Sequence, residues 1–528
     1  MENGEIKNEK LNLPQTIKIG FAFLAISAFW QLYNGVIPPI LTNTFGMSET
    51  SSGVIMAMDN ILALIMLPLF GTLSDRCKSP MGRRKPFILV GTIAAVALMQ
   101  IIPLMDNQYA ATGLVGFKVA FIVVLMLLLI AMGTYRSPAV ALMPDMTPKP
   151  LRSKGNAIIN LMGALGAIIY LIVTALLYSG KLFMDEKGHV DYTLLFVIVA
   201  LLMIGALLVV MLTVKEPTQA EEAVTMMPDG AAPEPVEGAV VEAMSDGTPV
   251  PSTSSGTVAE AQAEPVEAAP AKHKLPKDVR KSFLFILASI ALWFMSYNAI
   301  DTWYTNYAGR VWGMTIGSAS ACLTVTTVGM IIAFIPAAHI AVKIGRKKTI
   351  IVGLILEVVS TLSAFIFTLV ADSLQRKAYL AQITQNTLGE DGIFGVAEME
   401  PVTSILFGTY EEANAVYVSN AFHPAMFAVF ALLGIGWALI NVNSLPMVVD
   451  MCADSDVGKY TGYYYTASMA AQIVTPVLAG WCLRHLGYFS LFLYAALFMG
   501  AAIVTMWFVR HGDTAHNTPK GLEVFEEM

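Results

Sequence analysis

The chain has 528 residues, 56% of them hydrophobic and only 13% charged, with a mean hydropathy of +0.63. A soluble domain is usually about 45–50% apolar and about 25% charged, so this composition excludes an ordinary water-soluble protein. The formal net charge of −7 says nothing about nucleic acid, because the charges are segregated, with acids enriched in one linker and bases in short loops.

In chain order, the polar opening MENGEIKNEKLNLPQTIK lacks a signal-peptide cleavage pattern. Residues 1–16 read as a tail, and the first apolar span as an uncleaved insertion signal. Spans fall at about 17–41, 50–73, 86–105, 117–143, 155–178 and 193–214, making a six-helix bundle over 17–214. Each is near the roughly 20 residues needed to cross a hydrocarbon core of about 30 Å. Residues 215–280, rich in Ala, Pro, Glu, Val, Ser and Gly, cannot bury enough apolar area to offset their ordering entropy. They read as a disordered acidic linker. A second bundle over 281–510 has spans near 281–308, 317–342, 349–371, 422–448, 460–484 and 487–510, with a long connection at 372–421 and a tail at 511–528. The expectation is an all-α polytopic membrane protein of twelve transmembrane helices, set in a cell membrane and monomeric.

The gaps after spans 2, 4 and 8 concentrate Arg76, Lys78, Arg83, Arg84 and Lys85, then Lys149, Arg152 and Lys154, then Lys343, Arg346, Lys347 and Lys348. The alternate gaps carry few bases. Positive charge favours the cytoplasmic side, so these gaps and both termini are expected there. Cys77, Cys322, Cys452 and Cys482 form no CxxC pair, which leaves no zinc site or disulfide framework.

The two bundles repeat each other. Tyr33-Asn34 returns as Tyr297-Asn298, 264 residues on, and Thr42-Asn43 returns as Thr305-Asn306, 263 on. Gly82-Arg83-Arg84-Lys85 returns as Gly345-Arg346-Lys347-Lys348, again 263 on. Asp145 matches Asp450 at 305, the excess being absorbed by the long connection before span 10. Two six-span pseudo-repeats in the same orientation are the logic of secondary transporters that rock about a midplane site.

The segment GTLSDRCKSPMGRRKPF, Gly71 to Phe87, resembles the loop between the second and third helices of the major facilitator superfamily. Its form is most similar to the plant sucrose–proton symporters and their animal and microbial relatives, in the glycoside–pentoside–hexuronide–cation symporter group. ALMPDMTPKPLRSKGNAIINLMGALG after span 4 and DVGKYTGYYYTASMAAQ entering span 11 resemble that group as well. The resemblance implies the major facilitator fold, with spans 1, 4, 7 and 10 lining a central cavity, and sugar transport by alternating access. Sodium-coupled relatives carry acids on span 2 close to its proline. Here Leu67 precedes Pro68, Ala63 lies a turn earlier, and Asp59 is about two turns further out. That departure favours a proton over sodium as coupling ion, and no other cofactor is expected.

A charge at mid-membrane is costly unless paired or hydrated, so Asp59, Arg136, Asp301 and Glu357 are the candidates for chemistry. Asp59 and Glu357 are proposed proton carriers; their bland alternatives are a hydrated vestibule acid and a carboxyl bonded to a neighbouring helix. Arg136 suits sugar hydroxyls or a fixed ion pair. Trp30, Tyr33 and Asn34 share one face of span 1, and Trp293, Tyr297, Asn298 and Asp301 recur on span 7. Asn441 and Asn443 come from span 10, beside Trp437. Rings that stack on sugar CH faces, mixed with amides and few bases, suit an uncharged polyol. Trp303, Tyr304 and Tyr307 read instead as an aromatic belt at the membrane interface.

Asp75, Arg76, Gly82, Arg83, Arg84, Asp145, Arg152, Gly345, Arg346 and Asp450 read as cytoplasmic gate elements, in which Arg83 and Arg84 meet Asp145 and Arg346 meets Asp450. Competing functions are a proton-driven exporter of amphipathic cations and a non-transporting sensor with the linker as output. The lack of H-E-x-x-H, G-x-S-x-G and Walker sequences argues against an enzyme or ATP drive.

Overall fold

Asn12 opens the first helix: its side chain accepts the amide of Gln15 at 3.2 Å, satisfying one of the orphan donors of a helix start. The structure is a computed structural model and describes residues 11–147, 151–180, 182–185, 188–216, 276–387, 415–452 and 456–513. Helix α1 (Leu13–Pro39) runs into a π-helical turn (Ile40–Thr44). Pro38 and Pro39 cannot donate to the helix ladder, and past them the bonding slips by one residue, with Phe45 N donating to Ile40 O at 3.0 Å. Then follow α2 (Glu49–Asp75), α3 (Lys85–Thr112), α4 (Val115–Met146), α5 (Arg152–Leu177) and α6 (Thr193–Thr213). The second half holds α7 (Lys277–Trp312), α8 (Ile316–Ile344), α9 (Arg346–Thr387), α10 (Ala415–Val449), α11 (Val457–Leu486) and α12 (Ser490–Trp507).

Among the described residues these are 12 helices long and apolar enough to cross a membrane. Leu176, Leu212, Ile332 and Ile335 are each more than 60% exposed on their outer faces, as a lipid-facing surface requires. Several helices outrun the spans expected from hydropathy. Helix α3 continues past 105 to Thr112, and α9 and α10 extend into the connection expected at 372–421, leaving 388–414 outside the described residues. The linker beyond Glu216 and the tail beyond Asp513 also lie outside them.

Within the first half α1 packs on α5 and α6, α3 on α4 and α6, and α2 on α4. The second half repeats each pairing: α7 on α11 and α12, α9 on α10 and α12, and α8 on α10. The halves meet where α2 packs on α11, its counterpart α8 packs on α5, and α1 packs on α7. One face of the bundle carries both described chain ends and the α2–α3 and α8–α9 turns, and is called the terminal face. The opposite face carries the α1–α2, α5–α6, α7–α8 and α11–α12 turns, and is called the hairpin face.

Candidate functional site

The facing surfaces of the halves gather polar residues well inside their helices. Asp59 on α2, Arg136 on α4, Asn34 on α1 and Asp301 on α7 sit deep in the bundle yet keep part of their surface exposed. Depth combined with exposure marks a central cavity. Asn34 Nδ2 donates to Asp301 Oδ2 at 2.6 Å, tying α1 to α7 across the halves. Among the described residues the Asp59 carboxylate accepts from Asn60 alone, at 2.6 and 2.7 Å, and lies within electrostatic reach of Arg136 and Asp301. The Arg136 guanidinium lies 5.5 Å from the centre of the Trp30 ring, and no hydrogen bond or ion pair with a described residue engages it.

The other expected site residues divide by position. Tyr297 stacks on Trp437 with ring centres 3.9 Å apart, an aromatic plate in the second half. Trp30 packs edge-on against Tyr33 at 5.5 Å in the first. Tyr33 is 2% exposed, and neither its hydroxyl nor the Trp30 indole N–H finds a hydrogen-bond partner. Asn298 and Asn443 turn back to carbonyls of their own helices, at 3.0 and 2.9 Å. Asn441 is exposed on α10. Trp293 is enclosed with Trp437, Tyr460 and Tyr464 in the core of the second half. Glu357 is fully buried on α9 against Gly436, with both carboxyl oxygens unpartnered. The alternative of a carboxyl bonded to a neighbouring helix therefore does not describe it. Nor do Trp303, Tyr304 and Tyr307 form a belt. All three are 0% exposed, because α10, α11 and α12 enclose that end of α7, and Trp303 Nε1 donates to Pro476 O at 3.2 Å.

On the terminal face each half closes on itself. Arg84, 5% exposed, pairs with Asp75, donates through Nε to Asp145 Oδ2 at 2.8 Å, and reaches Ser74 and Gly71. Arg83 lies 3.3 Å from Asp145. In the second half Arg346 pairs with Asp450. Arg76 is exposed at the end of α2. Arg152 is the first residue of α5, and its side chain lies outside the described residues.

Two acids that sequence reasoning missed complete this pattern. Glu216, just past α6, accepts from Arg84 N at 2.9 Å and Lys85 N at 3.2 Å, at the start of α3. Asp513, just past α12, accepts from Arg346 N at 2.8 Å, at the start of α9. A carboxylate over a helix N-terminus is favoured by the free N–H groups and the dipole. Burial raises the Glu216 pKa, with hydrogen bonds from Arg84, Lys85 and Arg83 opposing. Gly82 (φ +101) and Gly345 (φ +94) make room for these carboxylates in a backbone geometry that side chains disfavour. The signal in the sequence is slight: an acid two residues after Val214 and four after Val509, where the last apolar run of each half ends.

Every hydrogen bond and ion pair found between described residues of different halves lies at Asn34–Asp301 or nearer the hairpin face. Thr42 accepts from Asn306 at 2.8 Å, and Asn43 accepts from Arg310 at 3.1 Å. Glu49 pairs with Arg310 at 3.3 Å and accepts from the Tyr488 hydroxyl at 2.7 Å. Gly317 N donates to Tyr178 O at 3.2 Å. A Cβ on Gly53 would overlap the Pro476 carbonyl, so α2 and α11 approach backbone to backbone. These contacts hold the two halves together along the hairpin face.

The Major Facilitator Superfamily family model matches residues 19–382 and 402–526. The chain belongs to that superfamily. As a member it is a multi-pass membrane transporter. It is similar to sucrose transport protein SUC3 of Arabidopsis thaliana, 32% identical over 152 residues, covering 26% of this chain and 25% of that protein. It is also similar to sucrose transport protein SUT3 of Oryza sativa subsp. indica, 31% identical over 174 residues, covering 30% of this chain and 34% of that protein. These matches span about a quarter to a third of the relatives' lengths. Among solved structures, a D-xylose-proton symporter superposes with a TM-score of 0.57 at 11% identity, covering 96% of this chain and 99% of that one. The nucleoside transporter NupG superposes with a TM-score of 0.57 at 11% identity, covering 94% and 100%. Both show the fold.

Proposed function

We propose that this superfamily member is a proton-coupled symporter of an uncharged sugar or glycoside, working by alternating access. The observation that carries the reading is Arg136: a guanidinium deep in the cavity, over Trp30 and near Asp59, with no hydrogen bond or ion pair to a described residue. An unpaired charge in that position has five donors to offer a ligand, and hydroxyl oxygens accept them. The Tyr297–Trp437 plate and the Trp30 ring offer faces for sugar CH groups from the two halves. The similarity to sucrose transport proteins supports the same substrate class.

Asp59 is the coupling carboxyl in this reading. Unprotonated, it holds Arg136 electrostatically; protonated, it frees the guanidinium for substrate. Glu357, buried on α9 without a partner, is carried as a second carboxyl for the proton. With the basic turns on the terminal face taken as cytoplasmic, the conformation described is inward-facing, in a cell membrane.

The test is uptake of labelled sucrose and maltose into proteoliposomes under an imposed pH gradient, in sodium and in potassium buffer. Uptake should follow the gradient in both buffers, and Asp59→Asn should abolish the dependence. Uptake indifferent to pH, or accumulation of lipophilic cations in place of sugars, would overturn the assignment.

A further inference from the structure

Asp106, on α3 near the hairpin face, takes no part in the cavity. Its side chain is 0% exposed, and among the described residues the Thr44 hydroxyl acts on it without a hydrogen bond of full geometry to either carboxyl oxygen. A buried carboxylate left so would cost several kcal/mol. Among the described residues, the basic group paired with it is a histidine from the α5–α6 turn: His189 Nε2 lies 3.9 Å from Asp106 Oδ2, and its side chain is 15% exposed. The same nitrogen lies 2.9 Å from Asn107 Oδ1, and Nδ1 lies 3.5 Å from Thr44 Oγ1. Thr44 closes the π-helical turn of α1, whose Thr42 and Asn43 hold Asn306 and Arg310 of the other half.

We propose that Asp106 and His189 form a second proton-binding site, reached from the hairpin face, whose occupancy holds the π turn of α1 in place and keeps that face latched. With one proton the pair is either a neutral carboxyl beside a neutral imidazole or a carboxylate beside an imidazolium. Both states leave Asp106 compensated. Loss of that proton leaves a bare buried carboxylate, which is relieved by letting water in around Thr44, and the latch residues at Thr42 and Asn43 loosen with it. π-helical turns inside α-helices recur at functional sites, and this one joins the proton site to the interface between the halves.

The neighbours allow the pair its own titration. Asp191 is engaged by Asn107 Nδ2 at 2.9 Å and by Thr193, and Asp185 accepts from His189 N at 2.8 Å. Tyr178 donates to Asp191 O at 3.0 Å, Tyr192 faces Asp106 from the start of α6, and Lys118 of α4 is turned to Phe45 O at 3.0 Å. The π turn itself contributes only hydroxyl and amide groups. Burial lowers the His189 pKa, with Asp185 and Asp191 opposing, which disfavours a second proton on the pair.

The inference goes beyond the transport reading, and its test uses no substrate. Spin labels at Leu114→Cys, just before α4, and Leu486→Cys, the last residue of α11, exposed positions of the two halves on the hairpin face, would be placed in a background without the native cysteines. Their separation is read by pulsed electron resonance from pH 5 to 9. The short distance should dominate at low pH. The long one should grow with pH, the ratio changing by up to about tenfold per pH unit, the limit for one proton. Asp106→Asn, neutral and of the same shape, should stay latched with the slope lost. His189→Gln should move the midpoint to lower pH. A profile unaltered in both Asp106→Asn and His189→Gln would overturn the proposal.

Discussion

Replacing Gly53 by alanine should open the hairpin face. The added Cβ would overlap the Pro476 carbonyl and come within 3.0 Å of Val477 Cα, well inside the roughly 3.5–4.0 Å of an optimal carbon contact. Both obstacles are backbone and cannot rotate aside, so α2 and α11 must separate. Overpacking of this kind costs about 1–3 kcal/mol. Because the contact joins the two halves, the cost falls on the latched state and is absent once the hairpin face parts. The latched-to-open ratio should therefore fall about 5- to 150-fold. The assay is alkylation by a membrane-impermeant maleimide of Thr42→Cys, a site 4% exposed between the halves, in a background lacking the native cysteines. Labelling from the hairpin side should accelerate by a comparable factor. Gly166→Ala is the control: its Cβ would overlap the Leu24 carbonyl inside the first half, which should lower the melting temperature without speeding the labelling. A Gly53→Ala protein labelled no faster than its parent would refute the reasoning.

Three further outcomes are expected. Asp145→Asn should lower thermal stability by about 1–3 kcal/mol, the range for losing a charged hydrogen-bond partner, because buried Arg84 keeps only the exposed Asp75 as counter-charge; differential scanning fluorimetry measures it. Glu216→Gln should flatten part of the pH dependence of stability. The Glu216 pKa is raised by burial above its usual 4.5, so the folded state binds the proton more tightly than the unfolded state. Its contribution to stability therefore falls as pH rises from about 4.5 through the raised value, and a glutamine has nothing to titrate; melting temperature against pH checks this. Arg136→Lys should raise the KM for sugar at least tenfold, since an ammonium keeps the charge near Asp59 but loses the guanidinium over Trp30 and its forked donors; initial uptake rates would show it.

The architecture was legible because hydrophobic length and the repeated Gly-Arg turn report on it directly: twelve spans and two related halves need no tertiary information. The within-half pairings of Arg84 with Asp145 and Arg346 with Asp450 were legible for the same reason, since each joins neighbouring turns of one bundle. Residues whose roles depend on distant packing were not. Trp303, Tyr304 and Tyr307 look like an interfacial belt in sequence, because an aromatic ring reads the same whether lipid or a neighbouring helix covers it; only the placement of α10, α11 and α12 decides. Asp106 escaped because a span sized to the hydrocarbon core stops at 105, whereas α3 continues to Thr112. Glu216 and Asp513 escaped because each meets its target amides more than a hundred residues away, at the far end of its own half.

Those two acids carry a consequence for assembly. Glu216 returns from the end of α6 to the start of α3, and Asp513 from the end of α12 to the start of α9, so each half is fastened shut by its own buckle. Both buckles are complete before the chain enters 217–275 or passes 513. The covalent bond between the halves therefore supplies stoichiometry and proximity rather than form. Two polypeptides cut within that connection and made together in one membrane should find each other through the hairpin-face contacts and rebuild the carrier, as two prefabricated shells hinged only along one rim.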